Sequence, residues 1–289
     1  MTHQGEFITS DGIRLGYQLG GNPKGPPILF CYGLVCSSFH FKYQWKHLES
    51  DYRLLMLDYR GHHVSEDPEA ITTLNFVRII EDLKEFLVHE KVKKQVTVVG
   101  YSMGVNIAVE LHARYSQLVS SLVLISGAAK FPASNPSELK RLSVAHSVFQ
   151  IVDGLFPKLA DEFWRCQRSL PGVESFAGFV GFNPKLTKSE DIKGVIKVMT
   201  EVSPKVFAQL FGEYIRHDRN NHLSEIKVPT LIIGGEFDRL VPMRFQRQMH
   251  EGIAGSEMVC IKDASHMPQF DRPDEVNSAL AHFLERLFL

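Results

Sequence analysis

Several absences narrow what this 289-residue sequence can do. Neither charge is in excess: 32 Lys and Arg face 33 Asp and Glu, for a net charge of -1, and the pI is near 6.9. That balance gives no global field for gathering nucleic acid or an anionic membrane. No apolar run approaches the roughly 20 residues that a spanning helix needs. The first residues, Met1-Thr2-His3-Gln4-Gly5-Glu6, carry neither the basic nor the apolar region of a secretory signal, so the expected location is the cytoplasm. Cysteine is sparse. Cys31, Cys36, Cys166 and Cys260 show no C-x-x-C spacing and no dense disulfide framework, and they read as free thiols. Internal repeats and low-complexity tracts are missing too. What is left is the composition of a globular protein with a full core: 44% apolar and 22% charged residues.

Within that composition, the N-terminal third alternates strand-like and helix-like segments. Ile13–Leu19 alternates apolar and polar positions, as a half-exposed antiparallel strand does. Pro27–Cys31, Tyr52–Leu57, Gln95–Val99 and Leu122–Ile125 read as short buried strands, and Thr73–Glu90 has helical spacing. Strands alternating with helices predict an α/β fold whose mostly parallel sheet is covered on both faces. The alternation stops near Lys130. From there to about Glu225 the periodicities are helical. Strands return at Pro229–Ile233 and Glu257–Ile261, before a last helix over Pro273–Leu287. The expected organisation is a core of residues 1–129 and 226–289 with a helical cap inserted at 130–225.

The most informative stretch is Gly100-Tyr101-Ser102-Met103-Gly104, between a buried strand and the helix-like Val105–Leu111. Strand, Gly-x-Ser-x-Gly and helix together describe a nucleophile elbow, a sharp turn that lifts a serine hydroxyl above the sheet. Flanking glycines let backbone pass where a Cβ would collide. Serine is a weak nucleophile at neutral pH and needs a base that is itself oriented by a third group. Asp238 follows the penultimate strand in Gly234-Gly235-Glu236-Phe237-Asp238, and His266 follows the last strand in Asp263-Ala264-Ser265-His266. Loops at the C-terminal edge of one sheet can bring the three together. Glu236 competes with Asp238 for the acid role, but Asp238 is favoured by its spacing to Val241-Pro242.

These pieces resemble the α/β-hydrolase superfamily of serine hydrolases, in which the order is serine, acid, histidine. Ser10-Asp11-Gly12 and Asp58-Tyr59-Arg60-Gly61 belong to the same resemblance, which runs from about residue 7 to the C-terminus outside the insertion. It implies Ser102 as nucleophile, His266 as general base and then acid, and Asp238 as the orienting carboxylate. It also implies an oxyanion hole of two backbone N–H groups, those of Met103 and Leu34. The chain departs from the family pattern twice. Tyr32-Gly33-Leu34 stands where His-Gly-x is usual, and His62-His63-Val64-Ser65 where His-Gly-x-Ser is usual. The glycine replaced by His63 serves a tight turn. Adjacent histidines point apart and have no carboxylate or cysteine pattern beside them, so no metal site is expected there, and no cofactor is implied.

Aromatic residues are frequent in the insertion, from Phe131 through Phe149, Phe156, Phe163, Trp164, Phe176, Phe179 and Phe182 to Phe207, Phe211 and Tyr214. Most are expected to pack the cap and some to face substrate. Pro171-Gly172-Val173 and Phe176–Pro184 are expected to permit cap movement. An apolar, partly closed pocket favours a small-molecule acyl or aromatic substrate over a sugar. The resulting expectation is a carboxylic-ester hydrolase acting on small to medium apolar substrates. Carbon–carbon bond hydrolases, lactonases, thioesterases, amidases and acyltransferases share the scaffold. A ligand-binding protein on the same fold would be marked by loss of a triad member, and none is lost. Serine as nucleophile argues against dehalogenases and epoxide hydrolases, whose relatives carry aspartate.

Overall fold

The structure is a computed structural model, and it describes residues 3–68, 70–133, 135–166 and 181–288. Pro171-Gly172-Val173, Phe176 and Phe179 lie outside the described residues, as does the side chain of Phe163.

Eight strands form one sheet: β1 His3–Ile8, β2 Arg14–Gly21, β3 Pro27–Cys31, β4 Arg53–Leu57, β5 Val96–Tyr101, β6 Val119–Ile125, β7 Thr230–Gly235 and β8 Glu257–Ile261. Their spatial order is β1-β2-β4-β3-β5-β6-β7-β8. β1 pairs antiparallel with β2, and β2 antiparallel with β4; every pairing from β4 through β3 to β8 is parallel. β3, β5 and β7 are buried along their whole length, as strands covered on both faces must be. The edge strand β1 buries only Phe7. One inward residue is too short a pattern to read as alternation, which is why the sequence did not announce this strand.

The helices beside the sheet are α1 Lys42–Leu48, α2 Phe76–His89 and α3 Met103–Tyr115; after the insertion come α8 Met243–Gly252, the short α9 Pro268–Asp271 and α10 Pro273–Phe288. α2 starts at Asn75, whose side chain accepts from Arg78 N–H at 2.9 Å, so the helix begins three residues later than its apolar spacing suggested. Periodicity hides α1 because one of its two buried positions is polar: Gln44 donates to Asn277 on α10 at 3.0 Å.

Between β6 and β7 lie α4 Pro136–Leu155, α5 Pro157–Cys166, α6 Ser189–Met199 and α7 Pro204–Arg216. Exit and return are tied together at a neck. Lys130 and Asp218 form an antiparallel bridge, and Arg219 N–H donates to Ala129 O at 2.8 Å. Below the neck the buried Glu110 of α3 accepts from Arg219 at 2.5 and 2.8 Å, from Arg114 at 2.7 Å and from His217 at 3.3 Å. This network clamps the insertion's return to the helix that begins at Ser102.

Two distant pieces of the sequence pattern meet at Arg60. Its guanidinium is 1% exposed and grips Asp82 and Asp11, with all four contacts between 2.6 and 2.7 Å. Burying such a fork is tolerable only because both carboxylates meet it in bidentate fashion. Arg60 is therefore a structural ion-pairing group.

Candidate active site

Ser102 sits between β5 and α3 at φ 54°, ψ -122°. A non-glycine residue in that region is strained by about 1–3 kcal/mol and persists only where its surroundings hold it. Here Ser102 N–H donates to Ile125 O at 2.9 Å, and Ser102 O accepts from Val105 N–H at 3.0 Å. The glycines make the turn sterically possible. A Cβ on Gly104 would lie 2.0 Å from Cys31 O, and one on Gly100 would lie 2.5 Å from Gly104 O. Ser102 thus precedes the first turn of α3, where orphan N–H groups and the helix dipole favour negative charge.

Asp238 and His266 arrive from the loops after β7 and β8. His266 Nε2 is 3.1 Å from Ser102 Oγ, and His266 Nδ1 is 2.9 Å from Asp238 Oδ2. The carboxylate accepts from Nδ1–H, which leaves Nε2 as the acceptor for the serine hydroxyl. Asp238 Oδ1 accepts from Leu240 N–H at 2.9 Å and Val241 N–H at 2.8 Å, so a tight turn fixes the acid. Its side chain is 0% exposed and that of His266 is 5% exposed. Glu236 is turned to another task, accepting from Asp263 N–H at 3.0 Å. Among the described residues no group of His, Cys, Asp or Glu is arranged to hold a metal ion.

Asp271, which flanks His266 and reads from the sequence as a loop-structure and helix-entry residue, also reaches into the insertion. It is buried, accepts from Ser265 N–H at 2.7 Å and Ser265 Oγ–H at 2.5 Å, and also accepts from Asn183 N–H at 2.9 Å and the Thr187 hydroxyl. One carboxylate therefore secures the His266 loop and the chain leading into α6. Its partners in the insertion lie more than 80 positions away, beyond any local pattern.

The two departures from the family pattern prove to be neighbours. Tyr32 is wholly buried; its hydroxyl accepts from Tyr59 N–H at 2.8 Å and donates to Asp58 at 3.5 Å. Its ring meets that of His63 edge-on at 6.3 Å. Burial raises the Asp58 carboxyl above its ordinary range, opposed by His63 and by the Tyr32 hydroxyl. His62 packs in the same cluster, its ring 5.7 Å from that of Tyr32, and donates from Nδ1 to Arg60 O at 3.2 Å. Burial pushes the Cys36 thiol up, away from nucleophilic character.

A cavity of about 250 Å³ opens over Ser102. Ser102, His266 and Leu34 line one end, while Phe131, Met199, Phe207, Phe211 and Tyr214 of the insertion form an apolar wall. Phe149 and Trp164 contact Phe207 from behind, at ring separations of 6.2 and 4.9 Å. Phe182 is buried against Phe270, and Phe156 is 57% exposed. The described aromatics of the insertion thus divide between lining and packing, apart from the exposed Phe156. Among the described residues no helix is long and apolar enough to cross a membrane.

Known proteins are similar to this chain in sequence and fold. The chain is 24% identical to "Epoxide hydrolase 3" of Xenopus tropicalis over 98% of this chain and 77% of that protein. The esterase EaEST from Exiguobacterium antarcticum superposes with a TM-score of 0.80 at 22% identity, covering 97% of this chain and 98% of its own. The enol-lactonase from Burkholderia xenovorans LB400 gives 0.79 at 22% identity, covering 97% and 100%. A family model described as alpha/beta hydrolase fold matches residues 26–273. With the eight-stranded sheet, the elbow between β5 and α3 and the loops after β7 and β8 that converge on it, the match places the chain in the α/β-hydrolase superfamily.

Proposed function

We propose that this hydrolase cleaves carboxylic esters of small to medium apolar substrates through an acyl-enzyme on Ser102. The observation that carries the reading is the unbroken chain Ser102 Oγ, His266 Nε2, His266 Nδ1, Asp238 Oδ2 at the floor of an apolar cavity. Ser102 Oγ attacks the ester carbonyl carbon while its proton passes to His266 Nε2. The carbonyl oxygen becomes an oxyanion facing the Leu34 and Met103 N–H groups. Collapse breaks the bond to the leaving alkoxide, which takes the proton from His266. Water then enters, gives its proton to His266 and releases the acid, restoring Ser102. Asp238 holds the tautomer throughout. Each step is an acyl or proton transfer and draws on no metal or organic cofactor.

The cavity volume and lining favour a short acyl or aromatic group, with no polar collar for a sugar among the described residues. Lactones are cyclic esters and fall within the same chemistry, in keeping with the likeness to an enol-lactonase. Ser102, in place of an aspartate, separates the reading from epoxide opening. The test is a p-nitrophenyl ester series of increasing acyl length, beside thioesters, lactones and acetylated sugars. Short apolar esters should give the highest kcat/KM and Ser102→Ala should abolish turnover; a preference for acetylated sugars would contradict the assigned substrate class.

A further inference from the structure

The turn that carries Leu34 is strained and is braced from outside. Gly33-Leu34-Val35-Cys36 closes with Cys36 N–H donating to Gly33 O at 3.2 Å. Its third residue, Val35, lies at φ 51°. A turn with positive φ at that position is ordinarily built with glycine, and a β-branched residue there is an outlier. Such strain persists only where neighbouring contacts over-determine it. Inside the turn the single side-chain tie is Cys36 Sγ–H to Leu34 O at 3.4 Å, a weak bond. The strong tie comes from elsewhere: His63 Nε2 lies 2.9 Å from Cys36 O, close enough for its N–H to donate.

His63 is itself at φ 51°. Glycine, usual at this place in similar sequences, would make the same bend without strain but could not reach Cys36. The strain at His63 therefore has a structural return, the bond to the oxyanion turn. The ring is also confined. Tyr32 meets it edge-on at 6.3 Å, His62 lies 6.1 Å away, and Glu201 Oε2 of the insertion is 3.8 Å from Nδ1. Tyr32 and His63, which depart from the family pattern separately in sequence, act as one packed unit behind the turn.

We infer that His63 is a positioning residue for the oxyanion hole: by holding the Cys36 carbonyl it keeps the strained turn closed and the Leu34 N–H aimed at the oxygen above Ser102. The inference rests on the assignment of Ser102 and Leu34 given under Proposed function. It predicts a separation between stability and catalysis. His63→Gly removes the strain at position 63, so the melting temperature should hold or rise. The unbraced turn should nonetheless lower kcat by about tenfold with KM little changed, and weaken a trifluoromethyl ketone transition-state mimic by a similar factor. A glycine variant that keeps wild-type kcat and wild-type affinity for the ketone would overturn the inference, as would a kcat loss matched by a fall in melting temperature. Fluorophosphonate labelling separates the two readings. Failure of the wild type to label at Ser102 removes both, whereas labelling at Ser102 with an unaffected glycine variant removes the role of His63 alone.

Discussion

The sheet beneath Ser102 and the helices above it are packed on different terms. In β6, Val119 and Leu122 through Ile125 are all 0% exposed. In α4, Val144, Val148, Ile151 and Leu155 recur at helical spacing and are each more than half exposed, while His146 on another face donates to Ala208 O at 2.7 Å on α7. Burying one such side chain is worth about 1.5–3 kcal/mol, and the sheet concentrates that stabilisation. The triad loops leave the C-terminal edge of this rigid layer. The insertion, held by its neck and by Asp271, supplies the apolar wall. On the proposed reading, the difference puts the chemistry on the sheet and the choice of substrate in the insertion.

The sharpest way to break this division is at the triad. Ser102→Ala should remove ester turnover, and Asp238→Asn should lower kcat by on the order of 10⁴ with the fold intact, measured by initial rates beside circular dichroism. Packing comes next. Leu124→Ala in β6 should destabilise by about 2–5 kcal/mol in urea unfolding, because a cavity opens in a layer that cannot collapse. Ile151→Ala on the exposed face of α4 should stay within about 0.5 kcal/mol. Equal losses at the two sites would erase the contrast.

Acid should attack the sheet side. Burial holds His40 and His62 neutral and pushes each from 6.5 down to about 3. The unfolded chain takes up a proton at each as pH falls below 6.5, and the folded chain does not. Their contribution is therefore complete above that pH and is lost on descending toward 3, with a slope of up to about 1.4 kcal/mol per pH unit for each histidine. Urea midpoints at pH 7, 6 and 5 should fall in that order; a flat series would contradict the buried neutral histidines. A smaller effect on catalysis is expected in the wall. Phe211→Ala should shift the preferred acyl length upward and change relative kcat/KM by about tenfold, with little loss on the shortest esters.

The sequence disclosed what depends on local pattern. Seven of the eight strands leave a buried run or an alternation, and Gly-x-Ser-x-Gly needs only its flanking strand and helix. The loops of Asp238 and His266 were legible because each follows a strand-like apolar run, wholly buried in β7 and only partly buried in β8. β1 was silent because it buries one residue, and α1 because Gln44 occupies a core position. The clamp at Asp271 and the brace at His63 involve partners far along the chain, and a bond of that kind leaves no periodicity. Tyr32 and His63 could be seen as unusual, but their proximity required the fold.

The central claim is that Ser102 is the atom that attacks. Treating the folded protein with a fluorophosphonate and mapping the adduct by peptide mass spectrometry tests it most directly. The account predicts one adduct, on Ser102, formed far more slowly in His266→Ala and competed by short apolar esters. An unlabelled protein that still hydrolyses esters, or an adduct on any other residue, would contradict it.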